Sequence, residues 1–219
     1  MIPYYIIMGI IAYLIGSINF SIMLSKKKAG FDIREKGSGN AGTTNVLRTM
    51  GKGAAVVTLI LDILKGVVAV GIAIFYGFVL SKIGNINLES EILVQIAGIF
   101  VIIGHTFPIY FGFKGGKGVA TALGILLVTN WHIGLICLVF ALVLIAITQM
   151  VSVGALGAAI LFPVLTLFSD EISFIKPGNY VIYSIIIAIL VCFNHRSNIK
   201  RLMNGSENKI SFKKKEEEK

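Results

Sequence analysis

Apolar residues in this chain fall in long blocks, parted by short segments where glycine, asparagine and basic residues gather. The blocks run from about 3 to 24, 53 to 80, 91 to 111 and 179 to 194, with a further stretch from Gly118 to Ser169 that holds no Asp, Glu, Lys or Arg. Crossing a hydrocarbon layer of ~30 Å takes roughly 20 apolar residues in a helix. Each block is therefore predicted to be a membrane-spanning helix. The uncharged stretch, 52 residues long, would rise ~78 Å as continuous helix, enough for two comfortable crossings or three short ones.

Charge decides between two and three. Lys26, Lys27, Lys28, Arg34, Lys36, Arg48 and Lys52 lie between the first two blocks, Lys114 and Lys117 follow the third, and a basic tail starts at Arg196. Short loops rich in Lys and Arg face the cytoplasm. The alternate loops hold only Lys82 and Lys176, beside Glu89, Glu91, Asp170 and Glu171, and are expected outside. Passing from Lys117 inside to Asp170 outside takes an odd number of crossings. Three of them break naturally at Thr129-Asn130-Trp131-His132 and Gln149-Met150-Val151-Ser152. The expectation is an all-α integral membrane protein of seven transmembrane helices, N-terminus outside and C-terminus cytoplasmic. It forms one polytopic domain over residues 1–219, with 210–219 a solvated tail. The amino-terminal block lacks the basic n-region and small-residue cleavage site of a signal peptide, so it is read as a retained span.

Composition agrees: 56% of the 219 residues are hydrophobic and 14% charged, against about 25% charged in soluble domains, and mean hydropathy is +0.86. The net charge of +9 needs no nucleic-acid partner, because basic cytoplasmic loops account for it. Cys137 and Cys192 are isolated in apolar blocks and read as small hydrophobes. His105, His132 and His195 are too widely spaced for a helical metal motif, so neither a metal nor another cofactor is expected. His132 sits at a predicted outer turn. Asp62 and Lys65, three residues apart in the second block, share a helix face, where pairing lowers the cost of ionisable groups in a membrane. They read as a structural pair facing the bundle. Gly154, Ala155, Gly157 and Ala158 let neighbouring helices approach closely.

Two glycine-rich segments invite a nucleotide reading. Gly37-Ser38-Gly39-Asn40-Ala41-Gly42 matches G-x-G-x-x-G, but the preceding KKKAGFDIREK is not a buried strand of the kind that fingerprint needs. GFKGGKGVAT, residues 112 to 121, has three residues between Gly112 and Gly116, one short of a phosphate loop. Gly118 also replaces the hydroxyl residue of that motif. The underlying physics survives: glycines let backbone N–H groups converge on an anion. Both segments lie on the predicted cytoplasmic face and carry cations, Arg48 in one and Lys114 with Lys117 in the other. A third cluster, NHRSNIKRLMNGSENK from 194 to 209, follows the last block. Alone, each fits a basic loop on anionic lipid heads. Three on one side point to a site for phosphorylated ligands.

These segments, in this order, resemble the bacterial membrane acyl-phosphate:glycerol-3-phosphate acyltransferases, the PlsY family. SGNAGTTN with Arg48 is similar to its first motif, GHTFPIYFGFKGGKGVAT to its second and HRSNIKRLMNGSENK to its third, and LDILKG resembles its second helix. Thr43 stands where alanine is usual, Ala41 where a bulkier residue or proline is usual, and Ser206 where threonine is common. None of these removes a group expected to contact substrate. The resemblance implies acyl transfer from acyl phosphate to the 1-hydroxyl of sn-glycerol 3-phosphate, giving lysophosphatidate and phosphate as the first acylation of phospholipid synthesis. It also implies a multi-pass protein of the bacterial cytoplasmic membrane whose site faces the cytoplasm, with membrane lipids and other phospholipid-synthesis enzymes as partners.

On that reading Ser38, Arg48 and Lys117 hold phosphate, with Lys114 and Arg201 as further cations. Gly39, Gly42, Gly115, Gly116 and Gly118 permit backbone approach. Asn40, Asn45, His195 and Asn198 orient the glycerol hydroxyls and acyl carbonyl, His105 anchors the second loop, and Glu207 holds the cations. Either His195 or a substrate phosphate takes the hydroxyl proton, and the resemblance favours the phosphate. The rival classes are a transporter of phosphorylated solutes and a lipid-binding assembly protein.

Overall fold

A computed structural model describes residues 1–168 and 177–210. Asp170, Glu171 and Lys176, which enter the topology argument, and the tail beyond Ile210 lie outside the described residues. Among the described residues every regular element is helical.

The first block is not one helix. It divides into α1 (Ile2–Gly16) and α2 (Phe20–Ala29), although together they make a 28-residue apolar span. The break has a polar lining. Asn19 caps α2 by accepting from Ile22 N–H (3.1 Å), and the carbonyls of Gly16 and Ile18 accept from Lys65 Nζ at 3.3 and 3.0 Å. A helix end leaves carbonyls without intrahelical partners, and here a buried ammonium from another helix supplies them.

The short α3 (Thr43–Met50) leads into α4 (Lys52–Lys82), whose 31 residues span ~46 Å and exceed the hydrocarbon thickness. Next come α5 (Ser90–Thr106), α6 (Val119–Thr129), α7 (Trp131–Thr148), α8 (Val151–Leu167), α9 (Pro177–Asn194) and α10 (Arg196–Met203), the last bent 63° from α9. Among the described residues four segments are long and apolar enough to cross a membrane: Ile2–Ala29, Lys52–Lys82, Ser90–Phe111 and Trp131–Thr148. The bent pair α9–α10 makes a fifth, while α6 and α8 are shorter apolar helices. Both predicted breaks in the uncharged stretch occur. Asn130 accepts from Ile133 N–H (3.1 Å) to start α7, and Gln149, at φ 58°, ends it.

Small residues set the helix spacing. A Cβ on Gly16 would strike the Val101 carbonyl, and one on Gly66 the Thr121 carbonyl, so α1 meets α5 and α4 meets α6 nearly backbone to backbone, as membrane helices do at small residues. The main core lies between these helices around Leu93, Val101, Ile102 and Ile125. A second, smaller core of Ile22, Ile33, Ala41, Val46 and Ala55 supports the first glycine segment. Large apolar side chains such as Val56, Ile60, Leu135 and Val139 stand exposed, the surface expected of helices solvated by lipid.

Candidate active site

The three polar clusters of the sequence meet at one end of the bundle, around a cavity of about 590 Å³. The first segment is held from inside. Asn45 is buried in the first turn of α3. Its Oδ1 accepts from Ser38 N–H (2.9 Å), and its Nδ2 donates to the carbonyls of Ile33, Lys36 and Asn40 at 2.9 to 3.0 Å. Expected to orient substrate, Asn45 has its amide spent within the loop. Asn19 Nδ2 fastens the Ala41 carbonyl at 3.3 Å. Ser38, Gly39, Asn40, Gly42 and Arg48 line the cavity, and so do Thr43 and Thr44, whose N–H groups are the first of α3 and have no intrahelical carbonyl to reach.

The second segment behaves differently from its expectation. The N–H groups of Gly115 and Gly116 donate to the carbonyls of Thr106 (2.9 Å) and His105 (3.0 Å). They dock the loop onto the end of α5 and are not available to an anion there. Gly115 and Lys114 line a separate cleft with Asp32, Arg34, Glu35 and Phe111, so Lys114 is not among the cations of the main cavity. Lys117 and Gly118 are on it. The main-chain carbonyl of His105 holds this loop through Gly116 N–H, and the His105 ring also reaches the cavity. Arg34, which the sequence did not single out, clamps both segments: its guanidinium donates to the Phe111 and Lys114 carbonyls at 2.6 and 3.2 Å and pairs with Asp32 at 2.7 Å. Hydrogen bonds from Arg34 and Lys26 hold the Asp32 carboxyl well below the usual carboxylate range, against the effect of burial.

The third cluster is organised by Glu207. Its Oε1 accepts from Ser152 Oγ (3.0 Å) and Asn198 Nδ2 (2.7 Å), and its Oε2 from Arg201 Nε (2.9 Å). Burial pushes the Glu207 pKa up, but these donors outweigh it and leave the carboxyl below its ordinary value. Asn198 Oδ1 in turn accepts from Lys117 Nζ, which joins the second and third clusters. Arg48 reaches the Asn208 carbonyl at 3.3 Å, which joins the first and third.

The electrostatics are those of clustered, partly buried cations. Burial, then the neighbouring Arg201 and Arg48, lower the Lys117 pKa to about 8, with Glu207 opposing. Burial and Arg201 lower that of Arg48 as well, though a guanidinium remains charged. His195 donates Nδ1–H to the Val191 carbonyl at 2.8 Å, which leaves Nε2 as an unprotonated acceptor. Burial and Lys117 push its pKa down to about 4.

Behind this face, Lys65 and Asp62 form the expected pair (2.9 Å), and Lys65 Nζ also bonds His105 Nδ1 at 2.7 Å. With the Gly16 and Ile18 carbonyls this engages all three ammonium protons. Asp62 and His105 both line the cavity, so the pair is closer to the site than a remote structural bridge would be. His132 stacks on Trp131 with ring centroids 3.6 Å apart and does not line the site. Among the described residues no three His, Cys, Asp or Glu side chains gather closely enough for a metal.

Away from the cations the cavity turns apolar and runs between α6, α7, α8 and α9, past Leu138, Ala141, Ala158 and Ile187. Ala155 and Ala158, expected to serve helix packing, are part of its wall. Gly154 and Gly157 do pack, against Ala141 and Leu144 of α7.

The glycerol-3-phosphate acyltransferase family model matches residues 6–205. The glycerol-3-phosphate acyltransferase of Halalkalibacterium halodurans is 44% identical over 93% of this chain and 94% of its own. That of Clostridioides difficile is 42% identical over 96% and 97%. The crystal structure of PlsY, an integral membrane glycerol 3-phosphate acyltransferase, superposes in its glycerol 3-phosphate form with a TM-score of 0.79 at 34% identity, covering 94% of this chain and 96% of that one. Its lysophosphatidic acid form gives 0.76 at 33%. Matching nearly end to end in sequence and in fold, the chain belongs to the PlsY family of glycerol-3-phosphate acyltransferases.

Proposed function

We propose that the protein transfers a fatty acyl group from acyl phosphate to the 1-hydroxyl of sn-glycerol 3-phosphate, releasing 1-acyl-glycerol 3-phosphate and inorganic phosphate. The observation that carries this reading is the single cavity with a cationic mouth and an apolar depth. One reactant is a phosphate on a lipid tail and the other a small soluble phosphate, and such a cavity suits both at once. It lies in the membrane, at the cytoplasmic face on the charge argument above.

In the reaction the glycerol oxygen attacks the acyl carbonyl carbon, the carbon–oxygen bond to phosphate breaks, and the hydroxyl proton is taken up. Acyl phosphate is already activated, so positioning and charge stabilisation suffice as the main catalytic terms. Arg48 and Lys117 hold the phosphates with Ser38, Gly39 and the first N–H groups of α3, while Arg201 adds charge at the rim. Asn198 is oriented by Glu207 and Lys117, and together with Asn40 and His195 it positions hydroxyls and carbonyl. A His195 pKa of about 4 makes its ring a weak base near neutrality, which favours a substrate phosphate as the proton acceptor and leaves His195 Nε2 to accept the hydroxyl hydrogen bond. Enzymes that make acyl phosphate and that acylate lysophosphatidate are the partners this chemistry requires.

The test is purified protein in detergent with palmitoyl phosphate and glycerol 3-phosphate. Lysophosphatidate and phosphate are expected in equal amounts, and palmitoyl-CoA is expected to be inert. Absence of product, or passage of glycerol 3-phosphate across sealed vesicles without chemistry, defeats the proposal. His195→Gln keeps a hydrogen bond but cannot titrate. Turnover within roughly tenfold of the parent supports the phosphate as base, since general-base loss typically costs 10²–10⁴-fold.

A further inference from the structure

The apolar part of the cavity has a floor. On each of the four helices that enclose it, lining residues stop at one level: Leu126 on α6, Cys137 on α7, Phe162 on α8 and Ile187 on α9. About one turn further from the cations, Thr129, Ile133, Thr166 and Tyr183 are buried in the bundle instead. Along α8 the wall reads Ala155, Ala158, Ala159, Phe162, a spacing of three, four and seven that puts all of them on one helix face. Three small side chains keep the slot open and then one large ring closes it. Phe162 stands ten residues beyond Ser152, which bonds Glu207 at the polar mouth, and so lies ~15 Å deeper along the helix.

The ring is braced from behind. Tyr180 meets it edge to face with centroids 5.9 Å apart, and Tyr183 stacks on Tyr180 at 5.8 Å. The Tyr183 hydroxyl in turn fills the space left by the missing side chain of Gly98 on α5. An aromatic stack seated on another helix has little room to yield, because interiors packed this closely resist even a methylene of added volume.

We propose that Phe162, backed by Tyr180 and Tyr183, is the floor of the acyl slot and sets the longest acyl chain the enzyme uses well. This rests on the acyl-transfer reading above. An acyl chain drawn from the bilayer leaves surroundings as apolar as the slot, so added methylenes bring little gain. Discrimination comes from the chain end meeting the ring. One methylene too many in a closed apolar pocket typically costs 10- to 200-fold, so the profile of kcat/KM against chain length should break sharply, by about tenfold, at one length.

The experiment is an internal competition. The full-length protein in detergent receives an equimolar series of saturated acyl phosphates, octanoyl to stearoyl, with glycerol 3-phosphate, and the chain lengths of the lysophosphatidate are read by mass spectrometry. Ratios within one tube are unaffected by the fraction of protein folded. Phe162→Ala, which opens the floor, should move the break to longer chains, and Ala158→Leu, which narrows the slot midway, to shorter ones. Should Phe162→Ala fail to fold, Phe162→Leu supplies a smaller shift in the same direction. Product profiles identical in parent and variants overturn the assignment of the floor. Failure of the parent to make lysophosphatidate from any donor overturns the acyl-transfer reading itself.

Discussion

At the scale of single residues, Arg48 and Lys117 are held by neutral groups, the Asn208 carbonyl and the Asn198 side chain, with no carboxylate within ion-pair distance among the described residues. Lys117 is the sensitive member, because its pKa of about 8 lies near physiological pH while Arg48 stays protonated throughout. The lysine is charged below pH 8 and loses its proton as pH rises through that value. The kcat/KM for glycerol 3-phosphate, which reports the free enzyme, should therefore fall about tenfold per pH unit above 8. Bound phosphate favours the ammonium, so kcat should fall at higher pH than kcat/KM. Lys117→Arg should remove this limb from the profile; a limb that survives unchanged assigns the titration elsewhere. The buried Asp62–Lys65 pair makes a different claim. Lys65→Met strands a carboxylate and three acceptors, and breaking a buried pair typically costs 3–5 kcal/mol. Asp62→Asn combined with Lys65→Met should recover part of that loss in thermal unfolding. A double variant as unstable as the single one would mean that the carbonyls of Gly16 and Ile18, not the carboxylate, are what Lys65 chiefly serves.

At the scale of elements, the glycines of the second loop separate into two kinds. A side chain on Gly116 would run into His105 Nε2 and lie 2.8 Å from the Ala41 carbonyl, so it would push apart the two glycine segments and the α5 terminus at once. Gly112 has nothing within 4 Å and only a φ of +66° to favour glycine. Gly116→Ala is therefore expected to raise the KM for glycerol 3-phosphate by an order of magnitude or more, since ~1 Å of misplacement can cost about 100-fold. Gly112→Ala should cost only the roughly 1 kcal/mol of a left-handed alanine and leave KM within about twofold, as steady-state kinetics on the pair can check. What the sequence could reveal follows the same division. The helix breaks at Asn130 and Gln149 and the Asp62–Lys65 pair are local, and spacing alone exposed them. The break at Ser17 to Asn19 was only half legible: Asn19 is a helix-capping residue type, but Lys65, which meets the freed Gly16 and Ile18 carbonyls, belongs to another helix. Asn45 read as a substrate group because nothing local shows that three carbonyls surround its amide. Arg34 read only as one more basic loop residue because the carbonyls it binds lie 77 and 80 residues away. The slot and its floor were invisible for another reason: α6, α7 and α8 are apolar all round, and a helix without a polar face does not mark which side turns inward.

At the scale of the whole molecule, the contacts from Arg34 to the second loop, from Lys117 to Asn198 and from Arg48 to Asn208 gather the basic segments at one end of the bundle, and α4 alone carries the chain ~46 Å to the other. Lys26, Lys27, Lys28, Lys52, Lys114 and Lys200 share the site's end, whereas the turn after α4 joins Lys82 to Glu89 and Glu91. Such an asymmetry orients a membrane protein with its basic end inward. That end is also where a soluble glycerol phosphate would reach the cavity. Replacing Cys137 and Cys192 by serine and placing single cysteines at Lys27 or Ile83, both exposed, turns this into a measurement with an impermeant maleimide on intact cells. Ile83→Cys should label at once and Lys27→Cys only after the membrane is opened. The reverse pattern would put the cationic cluster on the outer face and overturn its cytoplasmic placement. Labelling of both before lysis would break the link between charge and orientation on which the seven-crossing topology depends.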